Sequence, residues 1–317
     1  MNKKPERIVI ALGGNALQGR NSPGTAEAQL EVVRKICRRI AKISNMGYEI
    51  AIVHGNGPQV GRIVLASETA KDVTPAMPFD VCGAMSQGYI GYQIQQCLGY
   101  ELSKSNRNVP VVTVATQIIV DKNDPAFRDP TKPIGPFYTE EEAKELEALN
   151  GWTVKEDAGR GWRRVVPSPK PIHIVELGPI NQLWDRTVVV TCGGGGIPVI
   201  ERPNGRLEGI AAVIDKDYAA ELLAREVEAD ILMILTDVEK ISLNYNTPEQ
   251  VAIDKMSLDD VVKYSEEGQF HPGSMLPKVK AAAMFVRRNP NKKAIITSLE
   301  KAVEALDGKT GTQVTFS

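Results

Sequence analysis

The chain has 317 residues, of which 42% are hydrophobic, 24% charged and 5% aromatic, a composition expected of a soluble folded protein that excludes collagen-like, coiled-coil and disordered classes. At about 150 residues per domain it is long enough for two domains, or for one large domain with an insertion. The 38 Lys and Arg against 39 Asp and Glu give a formal charge of −1, so no net basic field recruits nucleic acid or anionic lipid, and an anionic ligand must be held by local geometry.

The predicted elements alternate. Residues 1–12 place basic side chains before an apolar run, but 8–12 is too short for the core of a signal peptide and reads as a first strand. Leu30, Val33, Cys37 and Ile40, spaced by three and four, predict a helix that ends near Met46-Gly47. Strands are expected at 49–54 and 109–115. From about 121 to 171 the pattern changes to Pro125, Pro130, Pro133 and Pro136, then a charged helix opened by the capping box Thr139-Glu140-Glu141-Glu142, then 159–164, then Pro167, Pro169 and Pro171. Proline interrupts strand ladders, so this stretch is expected to be an insert that does not continue the central sheet. Beyond it come a strand at 187–191, a helix over 218–225, a strand at 231–236, a weaker capping box at Ser257-Leu258-Asp259-Asp260, a helix with Pro277 in its first turn running through Phe285, and a strand at 294–297. Strands separated by helices predict a mainly parallel sheet. No apolar stretch approaches the ~18 residues that span a bilayer. Cys37, Cys82, Cys97 and Cys192 form no CxxC pair, so a reducing, cytoplasmic setting is expected.

Three of the strands run into glycine turns: Gly13-Gly14-Asn15, Gly55-Asn56-Gly57 and Gly193-Gly194-Gly195-Gly196. Open α/β sheets bind ligands beyond the carboxyl ends of their strands, where bare backbone aims amides at phosphate oxygens. Any one loop is equally well explained as a tight turn. Three together point to phosphate. The usual nucleotide motifs are missing, since Val303 stands where Gly308-Lys309-Thr310 needs the leading glycine of a P-loop, and Val60 replaces the third glycine of a dinucleotide fingerprint.

Lys278 falls in the first turn of a helix, where the positive end of the macrodipole disfavours a cation by about 0.3–1 kcal/mol. A bound polyanion reverses that preference. Lys216 lies near a helix start between Asp215 and Asp217, where a solvated cap is an equal reading. Two such placements favour a phosphate clamp. Thr236-Asp237-Val238 sets polar groups at a strand's carboxyl edge. Lys132, held between prolines in the insert, joins these candidates, whereas Arg160, Arg163 and Arg164 read as a solvated face. His54, His173 and His271 lack metal-site spacing, and Cys192, with no neighbouring base, reads as a small buried residue at a strand end.

Taken in order, 11–17 (Ala-Leu-Gly-Gly-Asn-Ala-Leu), 54–61 (His-Gly-Asn-Gly-Pro-Gln-Val-Gly), 132–137 (Lys-Pro-Ile-Gly-Pro-Phe), 163–169 (Arg-Arg-Val-Val-Pro-Ser-Pro), 192–198 (Cys-Gly-Gly-Gly-Gly-Ile-Pro), 212–217 (Ala-Val-Ile-Asp-Lys-Asp), Thr236-Asp237-Val238, Gly273-Ser274-Met275 and Pro277-Lys278-Val279 resemble the amino acid kinase superfamily and, within it, the carbamate kinases, over nearly the whole chain. Two departures are Leu276, where a glycine is usual, and Gly209-Ile210-Ala211, where an acidic residue is more common.

The resemblance implies an α/β fold, an open αβα sandwich with a mainly parallel central sheet and an inserted protruding subdomain. Residues 1–120 and 172–185 would form an N-terminal acceptor-binding lobe, 121–171 the protrusion, and 186–317 a C-terminal nucleotide-binding lobe. The implied reaction is reversible phosphoryl transfer, ATP plus carbamate giving ADP and carbamoyl phosphate. ATP formation in arginine catabolism is the expected direction, with Mg²⁺ bound to the nucleotide, a homodimer, and no nucleic-acid or membrane partner. Carbamate is already an anionic nucleophile, so no general base is required.

By the same resemblance, Lys216 and Lys278 would be the two cations and Asp217 would orient both. Gly13, Gly14, Gly55, Gly57, Gly194 and Gly195 would supply amides, Asn15 and Asn56 would help hold the phosphoryl region, and Lys132 would reach the acceptor. Asp237, Val238, Tyr245, Met275 and Pro277 would contact the nucleotide, and no protein ligand is assigned to Mg²⁺. Two rival readings are another acylphosphate-forming kinase and a non-catalytic nucleotide-binding regulator. The insert with Lys132 argues against the first, and the retained lysines and Asp217 against the second.

Overall fold

An eight-stranded sheet organises the chain in the computed structural model, which describes residues 5–13, 17, 24–105, 109–157 and 159–317. Across the sheet the order is Lys255–Met256, Thr312–Val314, Lys293–Ser298, Ile231–Thr236, Arg7–Leu12, Glu49–His54, Val188–Val190 and Val111–Thr113. Every neighbouring pair is parallel except Lys293–Ser298 with Thr312–Val314. The strands expected at 49–54 and 231–236 have those bounds, and the other expected strands differ by a residue or two at their ends.

Side chains alternate across a strand, so each β segment serves two cores. Ile8, Ile10 and Leu12 pack with Ile50, Ile52 and Met233 beneath the helices Ala26–Asn45 and Phe79–Ser103. Val9 and Ala11 face the other way, with Ala51, Val53, Leu232 and Ile234, beneath the helices Lys216–Glu226 and Met275–Arg288. Both faces are covered, which is why these strands read as unbroken apolar runs. Each fully buried isoleucine or leucine stabilises the fold by about 1.5–3 kcal/mol relative to exposure. The result is an αβα sandwich with a mainly parallel sheet. The capping boxes at Thr139 and Ser257 are both complete, the second no weaker in geometry than the first.

Strand Gln117–Val120 leads out of this body, and Pro171–Ile174 returns antiparallel to it. Between them Lys132–Tyr138, Trp162–Val166 and Thr153–Glu156 build a separate three-stranded sheet backed by the helix Glu140–Asn150. Pro133 and Pro136 sit on its edge strand, where a missing N–H costs no ladder bond. The protrusion folds back onto the helix Gly57–Thr69, where a Cβ on Gly61 would stand 3.0 Å from the Gly135 backbone.

The protrusion's arginines do not form the solvated face expected from their charge. Arg163 donates to the Gly135 carbonyl and to Asp157. Arg164 lies over the rings of Trp152 and Phe79, 4.6 and 5.6 Å from their centroids. Planar guanidinium groups stack on aromatic faces and bury their stems, so these two brace the protrusion. Arg160 is the exposed member.

A four-stranded sheet, Leu207–Gly209, Ile197–Glu201, Gln117–Val120 and Pro171–Ile174, has no counterpart among the expected strands. Its members are short and include Pro171 and Pro198, so they carry little periodicity. Val188–Val190 pairs with Glu49–His54 and Val111–Thr113, and Ile197–Glu201 pairs with Gln117–Val120. By strand pairing, residues 188–209 continue sheets built from the earlier strands Glu49–His54, Val111–Thr113 and Gln117–Val120. No helix among the described residues is long and apolar enough to cross a membrane.

Candidate active site

Helices that connect parallel strands run antiparallel to them, so strand carboxyl ends and helix N-termini share one edge of the sheet. Gly13, Gly55, Asn56 and the tetraglycine follow their strands at that edge, where the helices Gly57–Thr69, Lys216–Glu226 and Met275–Arg288 also begin. Gly14 and Asn15 lie outside the described residues.

The loops touch one another. The Gly55 amide donates to the Leu12 carbonyl at 3.0 Å. A Cβ on Gly193 would fall on the His54 ring, on Gly194 onto the Asn56 side chain, and on Gly195 onto the Ile214 carbonyl oxygen. Gly194 and Gly195 also have φ of +67° and +95°, values that favour glycine. The tetraglycine is thus seated between the Gly55-Asn56 turn and the segment that leads into Lys216. Gln87 braces it, donating to the carbonyls of Thr116 and Gly193 at 3.1 and 2.9 Å and accepting from the Thr116 amide at 2.8 Å. Nothing in the sequence marks Gln87, because a buried amide on a helix reads as a solvated one.

Asp215 caps the helix Lys216–Glu226, its Oδ1 accepting from the Asp217 amide at 2.9 Å. The helix starts at Lys216 itself, two residues earlier than expected. Lys216 Nζ lies 2.5 Å from Asp217 Oδ1, and Lys278 Nζ lies 2.9 Å from Oδ2. The three side chains are 11%, 13% and 3% exposed for Lys216, Lys278 and Asp217. Burial, with the Lys278 ammonium beside it, pushes Lys216 down to about 8. Burial opposes the charge on Asp217, yet the two ammonium groups outweigh it and hold the carboxyl at about 2. Burial likewise opposes the charge on Lys278, but contact with Asp217 prevails and raises it. From the protrusion, Lys132 Nζ reaches to 2.8 Å from Asp215 Oδ2.

Gly57 is the first residue of its helix, and no atom lies within 4 Å of where its Cβ would be. Asn56 is buried, with Nδ2 donating to Ser86 Oγ at 2.8 Å. Met275 and Pro277 occupy the first turn of the helix that carries Lys278, and Met275 packs on the core beneath it. Asp237 and Val238 follow the strand Ile231–Thr236 at the same edge, and Tyr245 is 54% exposed beside the short hairpin of Ser242–Leu243 and Val251–Ala252. His54 is buried and pushed down to about 4, hence neutral, and the buried Cys192 thiol is pushed up to about 12. Neither is available as a base or nucleophile. Two largely buried cations with a carboxylate between them, at the sheet edge that also carries bare-backbone loops, are the kind of groups that stabilise a migrating phosphoryl group.

The comparisons with known proteins agree with this chemistry. The profile of the amino acid kinase family matches residues 6–298. The carbamate kinase of Pyrococcus horikoshii is 57% identical over 314 residues, 98% of this chain and 99% of the relative, and that of Clostridium perfringens is 54% identical over 97% and 99%. The chain belongs to the amino acid kinase family, among its carbamate kinases. A solved structure of this kind, carbamate kinase from Giardia lamblia bound to AMP-PNP, superposes with a TM-score of 0.91 at 46% identity, covering 98% of each chain. As a member of the carbamate kinases the protein is an enzyme, and the lysine–aspartate cluster is its candidate active site.

Proposed function

We propose that the enzyme transfers a phosphoryl group reversibly between ATP and carbamate, and that in the cell it runs towards ATP formation from carbamoyl phosphate during arginine catabolism in the cytoplasm. The observation that carries the reading is the Lys216–Asp217–Lys278 cluster at the sheet edge shared by Gly13, the Gly55–Gly57 turn and the tetraglycine. Lys216 and Lys278 neutralise charge on the migrating phosphoryl group, and Asp217 fixes the distance between them. Amides of Gly13, Gly57 and Gly194 hold phosphate oxygens, while those of Gly55 and Gly195, which donate to the Leu12 and Cys192 carbonyls, shape the turns instead, with Asn56 fixing the first of them. Lys132 reaches the carbamoyl side, while Asp237, Val238, Tyr245, Met275 and Pro277 line the nucleotide side. Such a transfer needs positioning and electrostatics rather than proton removal, which fits a buried His54 that is held neutral. Free carbamate reverts readily to carbon dioxide and ammonia, which favours the direction that consumes carbamoyl phosphate.

Among the described residues no group of three or more His, Cys, Asp or Glu side chains could hold a metal ion, and Asp215 and Asp217 are each engaged by lysine. Mg²⁺ would enter with the nucleotide, where it would neutralise phosphate charge and keep much of its water, with no protein ligand assigned to it. The expected homodimer would bury the face of the helix Phe79–Ser103 that exposes Tyr92 and Tyr100.

A coupled assay of ATP formation from ADP and carbamoyl phosphate tests the reading. Robust turnover that falls by orders of magnitude in Lys216→Ala and Lys278→Ala is expected. Greater turnover with acetylglutamate or aspartate as acceptor, or none with carbamoyl phosphate, would refute it.

A further inference from the structure

Lys132 and Asp215 are 83 positions apart, and each belongs to a different part of the fold. Asp215 Oδ1 accepts from the Asp217 amide at 2.9 Å, and its Oδ2 lies 2.8 Å from Lys132 Nζ. One carboxylate thus has one oxygen on the helix that carries Lys216 and Asp217, and the other on the protrusion's lysine. Asp215 is 13% exposed and Lys132 33%.

Main-chain bonds set the register of this pair. The Val213 amide donates to the Pro167 carbonyl at 2.9 Å. In the protrusion's sheet Lys132 stands opposite Val166, next to that proline. The strand that carries Lys132 is therefore tied to the residues just before Asp215, and the ion pair is no chance meeting of a long side chain.

A helix cap needs only a neutral acceptor, since asparagine or serine serves the N–H as well as aspartate does. A bare carboxylate beside a site for anionic substrates would repel them. The helix dipole and the nearby Lys216 and Lys278 also favour a carboxylate here, but the direct partner of the charge on Asp215 is Lys132.

We infer that Asp215 is a positioning residue for phosphoryl transfer: its second oxygen holds the Lys132 ammonium, and with it the protrusion, on the acceptor side of the cluster. The inference rests on the reaction proposed above.

Asp215→Asn keeps a cap acceptor and removes the ion pair. ATP formation from ADP and carbamoyl phosphate is measured for the wild type, Asp215→Asn, Lys132→Ala and the double variant, with a melting temperature for each. The single asparagine variant should lower kcat/KM for carbamoyl phosphate about tenfold, leave KM for ADP within about twofold, and cause no further loss once Lys132 is alanine. No loss, a loss shared by ADP, or an equal fold-loss in both backgrounds overturns the inference, because Asp215 would then act through the helix cap or not at all. If Asp215→Asn fails to fold, Asp215→Ser takes its place in the same cycle. Failure of both to fold also overturns it, since the carboxylate would then serve the fold itself. A wild-type protein that makes no ATP refutes the reaction instead, so the two failures are distinguishable.

Discussion

Lys278 Nζ lies 2.9 Å from Asp217 Oδ2 across 61 positions of sequence. The other oxygen of that carboxylate meets Lys216 Nζ at 2.5 Å. Asp217 therefore sets the spacing of two buried ammonium groups that would otherwise repel one another, and it does so before any phosphate arrives. Preorganisation of this kind costs nothing at the moment of transfer.

Asp217→Asn preserves shape and removes the charge that holds the lysines together. Its kcat is expected to fall at least about a hundredfold, measured by steady-state kinetics on protein whose far-ultraviolet circular dichroism matches the wild type. Turnover within a few fold of the wild type would contradict the role.

The pH profile should report Lys216, which burial and the Lys278 ammonium push down to about 8. If the charged form is required, kcat/KM, which reads the free enzyme, declines as pH rises through about 8. The effect on stability has the opposite sign. Between about 8 and the ordinary lysine value of 10.5 the unfolded chain keeps a proton that the folded chain has lost. The penalty of burying this cation is thus full below pH 8 and is relieved as pH climbs through that window. Lys216→Arg stays charged throughout and should move the alkaline limb of kcat/KM upward. A limb that stays where it was would belong to another group.

The glycine turns predict two opposite outcomes. Gly195→Ala would drive a Cβ into the Ile214 carbonyl at a positive φ, so a loss of about 2–4 kcal/mol is expected in urea unfolding. Gly57→Ala meets open space at the first position of a helix, and stability should change by no more than about 0.5 kcal/mol. Its activity should nevertheless fall, because the added methyl occupies the room in which phosphate approaches the backbone. Unchanged activity in Gly57→Ala would remove that glycine from the site.

Arg164→Ala should loosen the protrusion. It deletes the guanidinium stacked on Trp152 and Phe79, worth about 1–2 kcal/mol in such a half-buried setting. Hydrogen exchange should quicken in the strand Lys132–Tyr138 while the main sheet stays protected. Equal exchange in both proteins would mean that the brace contributes nothing.

Much of this molecule is local and can be read from the chain. The apolar runs at 49–54 and 231–236, the caps at Thr139 and Ser257 and the glycine turns each depend on a few neighbouring residues, so spacing and residue type suffice to place them. The insert was legible for the same reason, since its prolines forbid it the central sheet whatever else happens. Asp215 could be seen as a cap, because caps are local too, but not as the partner of Lys132.

What tertiary structure alone decided is which distant pieces meet. The short strands Gln117–Val120 and Ile197–Glu201 gain their stability from each other and so leave little trace in either sequence. Val188–Val190 likewise takes its partners from far earlier in the chain, Glu49–His54 and Val111–Thr113. Arg163 and Arg164 look solvated until the Gly135 carbonyl and two aromatic rings close around them. The meetings of Lys278 with Asp217 and of Lys132 with Asp215 have the same cause. Charge attraction between side chains has no sequence period: helices crossing the parallel sheet bring Lys278 to Asp217, and the protrusion folding back brings Lys132 to Asp215.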